Sequence, residues 1–372
     1  MSEKTGTETG TGPAGDGGGI WILGATGRTG RAIAALLAAR GLALVLVGRD
    51  AGRLRDLAGE VGGDARTVVA GTVEETAAVL ARSAPTVIVN TIGPFTSTAV
   101  PLIRACPPGT HYLDLSNELT SIRQVLDLHD EAVAGGSTLV PGAGFGVCAT
   151  ESAVRKVCEG RPPAERLRVD AVPSVRTEPG LLGEALAASL VDGATVGGRR
   201  YERGRLVRAR TGGGVERFTL PDGSAVRAMA LPSGDLEAAH RASGAPYVTA
   251  GNTEIPSALL VRALLPLAAA LLARPAIGNA AKRRLARVRA TERAAPRPHS
   301  WARARATWPD GTTHEAWLRT GEAMEFTTAV AAEVAARLAR GEATPGARTP
   351  ATLFGPGLAE AAGAQFLTDG AT

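Results

Sequence analysis

Gly24-Ala25-Thr26-Gly27-Arg28-Thr29-Gly30 directly follows the apolar run Ile20-Trp21-Ile22-Leu23 and opens a stretch of helical spacing over 27–40. A glycine turn between a buried strand and a helix start lets backbone amides approach an anion with no side chain in the way. Such a turn is weak on its own and becomes specific when repeated βα units surround it. Here they do. Apolar runs at 42–47, 66–70, 86–90, 111–116 and 137–140 alternate with helical patterns beginning at Ala51, Val73, Thr98 and Leu119. Buried strands linked by helices of about 10 to 15 residues indicate a parallel sheet covered on both faces. The expected fold is therefore α/β, with a Rossmann doubly wound parallel sheet over residues 20–160.

Beyond residue 161 the pattern changes to strands of alternating polarity, such as Arg-Leu-Arg-Val-Asp-Ala-Val at 166–172, separated by glycine-rich turns. Two more flank Pro309-Asp310-Gly311 as a hairpin. This predicts a second, α+β domain over 161–320, built on a largely antiparallel sheet and serving the substrate and dimerisation. Residues 321–372 are expected to pack back on the first domain as a helix and tail. The apolar stretch 257–273 is interrupted by Arg262 and Pro266 and is shorter than the ~20 residues that span a bilayer. It is expected as a buried or dimer-forming helix, and the chain as a homodimer.

The composition is that of a globular chain: of 372 residues, 44% are hydrophobic and 21% charged, with mean hydropathy +0.05. The first 19 residues are rich in Gly and Thr and read as a disordered leader without the apolar core of a secretory signal, so a cytoplasmic location is expected. Three cysteines, Cys106, Cys148 and Cys158, are too scattered for a disulfide framework or a metal site. The net charge of +5 comes from arginine and gathers over 282–305. A solvated helix face or a pocket for an acidic substrate accounts for it, and neither nucleic-acid binding nor membrane association is expected.

The end of the second strand reads Val47-Gly48-Arg49-Asp50, where an enzyme using NAD carries an acid for the ribose hydroxyls. An arginine there pairs with a 2′-phosphate that an acid would repel, which favours NADP(H). Asp50 has its own use as a helix N-cap. Candidate cofactor residues are thus Gly24, Thr26, Gly27, Arg28, Thr29 and Gly30 in the first loop and Arg49 in the second. The fourth strand ends Asn90-Thr91-Ile92-Gly93-Pro94-Phe95, and Asn90, Thr91, Gly93, Pro94 and Phe95 join the set because ligands lie beyond the carboxyl ends of such strands. Ser116 and Asn117, after the fifth strand, join it too. Pro141-Gly142-Ala143-Gly144-Phe145-Gly146 follows the sixth strand and shapes the same edge.

Taken together, GATGRTG, VGRD with a following RL, NTIGPF, YLDLSNE, PGAGFG and the C-terminal GARTPATLFG resemble the saccharopine dehydrogenase-like reductases, including their trans-acting enoyl reductase branch. The resemblance covers roughly residues 20–155, returns near 321–358 and is faint between. It implies an NADP-binding domain, a mixed-sheet C-terminal domain, and reduction of C=N or C=C bonds in a small-molecule or carrier-linked substrate.

Other chemistries fit less well. Tyr112, Tyr201 and Tyr247 are followed four residues on by Ser116, Arg205 and Gly251, so the Tyr/Lys pair of short-chain dehydrogenases is missing. Hydride transfer needs positioning plus one proton-handling group. Tyr112, Asp114 and Cys148 are the catalytic candidates, each with a purely structural alternative as core ring, turn cap or small buried residue. An NADPH-binding sensor without catalysis is the competing function.

Overall fold

The computed structural model describes residues 18–62, 64–253 and 259–367. Residues 1–17 of the leader expected over 1–19, and positions 257–258 of the apolar stretch, lie outside the described residues. In chain order the first half contains β1 (Ile20–Leu23), α1 (Arg28–Ala38), β2 (Leu44–Gly48), α2 (Ala51–Val61), β3 (Arg66–Val69), α3 (Val73–Leu80), β4 (Val87–Asn90), α4 (Phe95–Ala105), β5 (His111–Asp114), α5 (Leu119–Leu126), α6 (His129–Ala134), β6 (Thr138–Val140), a π-helical turn at Phe145–Ala149 and α7 (Thr150–Cys158). Every residue of β1, β2 and β4 is buried because helices cover both faces of the sheet. On α1 the buried positions Gly30, Ile33, Ala34 and Leu37 repeat at helical spacing and form one stripe. The single helix expected over 119–134 is two, α5 and α6. The break falls at Leu128, whose side chain drops into the core while its backbone leaves the helical region.

The second half contains β7 (Arg166–Val172), β8 (Gly180–Leu181), α8 (Glu184–Thr195), β9 (Arg199–Glu202), β10 (Arg205–Arg208), β11 (Glu216–Thr219), β12 (Ala225–Ala230), α9 (Gly234–Ser243), β13 (Tyr247–Asn252), α10 (Leu259–Leu272), α11 (Pro275–Ala286), β14 (Arg289–Ala290), β15 (Ser300–Thr307) and β16 (Thr313–Thr320). The chain closes with α12 (Ala323–Ala339), β17 (Gly346–Ala347), α13 (Pro350–Phe354), α14 (Gly357–Ala361) and β18 (Gln365–Leu367).

Seven parallel strands form the first sheet in the order β17-β6-β5-β4-β1-β2-β3, so the order in which strands are added reverses between β1 and β4. The second sheet runs β10-β9-β13-β7-β15-β16-β18 with β11 and β12 to one side. It is mixed, since β13 pairs with β7 in parallel while the other pairs are antiparallel. Helices α8 and α9 fall inside the stretch that sequence alternation reads as strands. The two halves share one core: Ile22, Leu46 and Val89 of the first sheet lie in a continuous apolar cluster with Ala171, Ala302 and Leu318 of the second, joined through Phe326, Val330 and Val334 of α12. The last segment is divided between them, β17 extending the first sheet and β18 the second. Of the apolar stretch expected as a buried or dimer-forming helix, Leu267 and Leu271 of α10 are exposed in the single chain.

Candidate active site

The glycine loop is shaped by what cannot fit there. Gly24 has φ +78°, and a methyl group on it would lie 2.7 Å from Thr91 Oγ1. A methyl on Gly30 would lie 2.5 Å from the Gly24 carbonyl oxygen, so only glycine lets α1 start this close to the turn. The first bond into the helix runs from Arg31 N–H to the Gly27 carbonyl, so the amides of Arg28, Thr29 and Gly30 belong to the open first turn. No acidic residue stands in that turn, and the helix dipole leaves it positive. Thr26 packs against Gly48, which brings the loop to the end of β2.

Just past β2, Arg49 is exposed, and Asp50 caps α2 by accepting from Arg53 N–H at 2.9 Å. Arg53 donates through its guanidinium to the Thr26 carbonyl at 2.9 Å. A second cation therefore flanks the loop beside Arg49. The pairing of Arg49-Asp50 with an arginine one helical turn later was the signal in the sequence for it. Arg28 lies 3.8 Å from Glu178 of the second half, both exposed.

Thr91 donates to the Leu23 carbonyl at 2.7 Å and ties the β4 loop to the glycine loop. Pro94, in a cis Gly93-Pro94 peptide, is the N-cap of α4, and Phe95 is its first residue. Asn90 is fully buried and faces inward: its Nδ2 donates to Tyr112 Oη at 3.0 Å and to Thr98 Oγ1 at 3.3 Å, and its Oδ1 accepts from Ile92 N–H. Tyr112 in turn donates to Asp114 Oδ2 at 2.9 Å, and Asp114 Oδ1 accepts from the amides of Ser116 and Gly142. This buried polar chain braces the carboxyl ends of β4, β5 and β6.

Those contacts decide the catalytic candidates. Tyr112 and Asp114 are 1% and 0% exposed, with their polar atoms committed to each other and to loop amides. Burial holds the Tyr112 hydroxyl well above its usual range and raises the Asp114 carboxyl to about 6, against the pull of its donors. Cys148 is fully enclosed in the π-helical turn, its thiol raised by burial. None of the three side chains is exposed in this structure, and the polar atoms of Tyr112 and Asp114 are taken up in the brace between the loops. Sequence alternation placed Tyr112 and Asp114 correctly on one face of β5 but could not tell that this face is covered.

The residues that meet the second half lie just beyond. Ser116 is buried, its Oγ accepting from Glu118 N–H at 3.1 Å. Asn117 is exposed and its carbonyl accepts from Gly234 N–H at 2.9 Å. Glu118 spans the crevice: one carboxylate oxygen accepts from Thr96 N–H at the start of α4, 3.0 Å, and the other from Ser189 Oγ on α8, 2.7 Å. Beside the glycine loop, a cavity of about 170 Å³ is walled by Arg28 and Thr29, by Arg176 and Glu178, and by Glu322 and Met324. Larger hollows of about 550 and 910 Å³ lie on the second sheet near Arg166 and Tyr247, and beside β3 near Trp21. Neither touches the glycine loop.

An open amide turn, a cradle that a methyl group would fill, Arg49 past the end of β2 and Arg53 in the first turn of α2 fit a phosphorylated dinucleotide, and fold and site define a two-sheet Rossmann protein. Residues 20–140 match the family model of the saccharopine dehydrogenase NADP binding domain, and NADP(H) is accordingly the cofactor this domain is built to bind. A trans-acting enoyl reductase of Mycobacterium leprae is 34% identical over 136 residues, 34% of this chain and 32% of that protein. A trans-acting enoyl reductase of Mycobacterium ulcerans is 35% identical over 133 residues, again 34% of this chain and 32% of the other. The match thus spans about a third of the length of these relatives. The apo saccharopine dehydrogenase (L-Glu forming) of Saccharomyces cerevisiae superposes with TM-score 0.59 at 12% identity, over 95% of this chain and 100% of that one, which establishes the shared fold.

Proposed function

We propose that the chain is an NADPH-dependent reductase that delivers a hydride to a conjugated C=C or a C=N bond of a small or carrier-linked metabolite. The observation that carries the reading is the convergence of the glycine loop, the β4 loop and the β5 loop on the second half, where Glu118 bridges Thr96 and Ser189. The bound cofactor supplies the hydride. The amides of α1 hold its pyrophosphate, Arg49 and Arg53 its 2′-phosphate, and the Asn90–Tyr112–Asp114 brace keeps the loops in register for the nicotinamide.

With Tyr112, Asp114 and Cys148 enclosed, the proton that completes the reduction comes from water admitted to the crevice. A conjugated acceptor tolerates this, because the charge left by hydride addition is delocalised and needs no dedicated acid. A ketone without the Tyr/Lys pair is less well served. The names of the mycobacterial relatives favour the C=C alternative.

The enclosure of all three proton-handling candidates also favours a second reading, an NADPH-binding sensor. Incubation with deuterated NADPH and panels of enoyl thioesters and cyclic imines separates the two. Deuterium in the product with matching cofactor oxidation is expected; tight NADPH binding with no turnover on either panel would leave the sensor reading standing.

A further inference from the structure

Six large apolar side chains stand exposed on one corner of the second half: Leu181 at the end of β8, Leu190 on α8, Leu267 and Leu271 on α10, Ile277 on α11, and Val288 before β14, with Leu181 and Leu267 each 60% exposed. They come from elements in mutual contact. Helices α8, α10 and α11 pack on one another, and β8 pairs with β14 so that Arg289 stands opposite Leu181. The same corner is strongly cationic. From residue 255 to 291 the sequence has seven Arg or Lys and no Asp or Glu. Arg283, Arg284, Arg287 and Arg289 are exposed, while Lys282 is held by Asp192 at 2.7 Å.

We infer that this corner is a docking surface for an anionic lipid bilayer. Exposed leucines set among arginines are the composition of a helix pair lying in the headgroup layer, apolar side chains entering the acyl boundary and cations meeting lipid phosphates. Charge decides against a second copy of the chain, because a two-fold contact through this corner would set arginines against arginines. An acidic protein would satisfy the cations but would need an apolar groove for the leucines, which a bilayer provides without one. No helix among the described residues is long and apolar enough to cross a membrane, so the contact is peripheral. The docked corner is the one that overhangs the crevice, since α8 carries Ser189, the partner of Glu118. The assignment does not depend on the reduction chemistry.

The test is co-sedimentation of the full chain, without substrate, on vesicles of phosphatidylcholine alone and of phosphatidylcholine mixed with phosphatidylglycerol. Binding to the anionic vesicles at low salt, weak binding to the neutral ones and release by salt are expected. Arg283→Gln and Arg284→Gln should each weaken partitioning about fivefold. Leu267→Ser with Leu271→Ser should weaken it by about tenfold or more. NADPH titration of each variant verifies that it is folded. The inference fails if the anionic vesicles do not retain the chain at low salt, or if retention ignores all four substitutions. It fails equally if light scattering shows a dimer that Leu267→Ser with Leu271→Ser dissociates, or if an acidic carrier protein binds the corner and vesicles do not.

Discussion

Arg49 and Arg53 carry the sharpest consequence at the scale of single residues. Arg49→Ala should weaken NADPH by about 1.5 to 3 kcal/mol, roughly one to two decades in Kd, and leave NADH unchanged. Arg53→Ala should act in the same direction but less, because its guanidinium already serves the Thr26 carbonyl. Fluorescence titration of both cofactors measures this; a parallel loss for NADPH and NADH would mean that neither arginine reads the 2′-phosphate. Asp114 gives a pH signature. Its carboxyl, raised to about 6, holds a proton in the folded chain that the unfolded chain has already lost, so its contribution to stability is present below the ordinary carboxylate range and fades as pH rises through about 6. The stability of the native chain relative to Asp114→Asn should therefore fall between about pH 4 and pH 7, by up to about 3 kcal/mol. Denaturant unfolding across that range reads it, and a difference that grows with pH would contradict the protonated, buried carboxyl. The glycines at 24 and 30 were legible in the sequence because the close approach they permit is local. The covering of Tyr112, Asp114 and Cys148 was not, because it is set by loops from β4 and β6 that no spacing rule places over β5.

Among the elements, α13 illustrates how a motif can be read without its reason. GARTPATLFG stands out in the sequence, and the structure supplies the cause: Glu151 of α7, fully buried, accepts from the amides of Ala351 and Thr352 and from the hydroxyls of Thr349 and Thr352, capping α13 from a distant helix. Burial raises its carboxyl despite those donors. Glu151→Gln should lose about 2 kcal/mol, because the amide accepts through only one oxygen and turns an NH2 toward buried donors. Thermal melts check this, and a variant as stable as the native chain would show the cap to be dispensable. Strands β1 to β6 of the first sheet were legible because each is a short run bounded by turns; β17, two residues long, carries no pattern to read and was not. In the second half, α8 and α9 were hidden because short helices between β-rich segments carry too little periodicity to stand out, and β13 was not foreseen as a parallel partner because pairing direction is a property of topology.

For the molecule as a whole, the two sheets share one apolar core across the boundaries expected at 160 and 320. The shared cluster around Phe326, Val330 and Val334 draws on both sheets, so heat or denaturant should unfold the two halves in one transition. Calorimetry giving two resolved peaks would refute that.

The placement of β17 in one sheet and β18 in the other means that the polypeptide crosses between the halves three times: after α7, after β16 and again before β18. A two-lobed protein joined by a single tether can swing open like a jaw; one laced three times works as a fixed vice. With the two sheets also sharing one core, the expected consequence is that cofactor enters along the slot and that selectivity follows the fit of a standing aperture. Small-angle scattering should accordingly give the same radius of gyration with and without NADPH. Cutting the lacing by ending the chain before β17 should loosen both sheets at once, visible as faster amide exchange in β6 and β16 together.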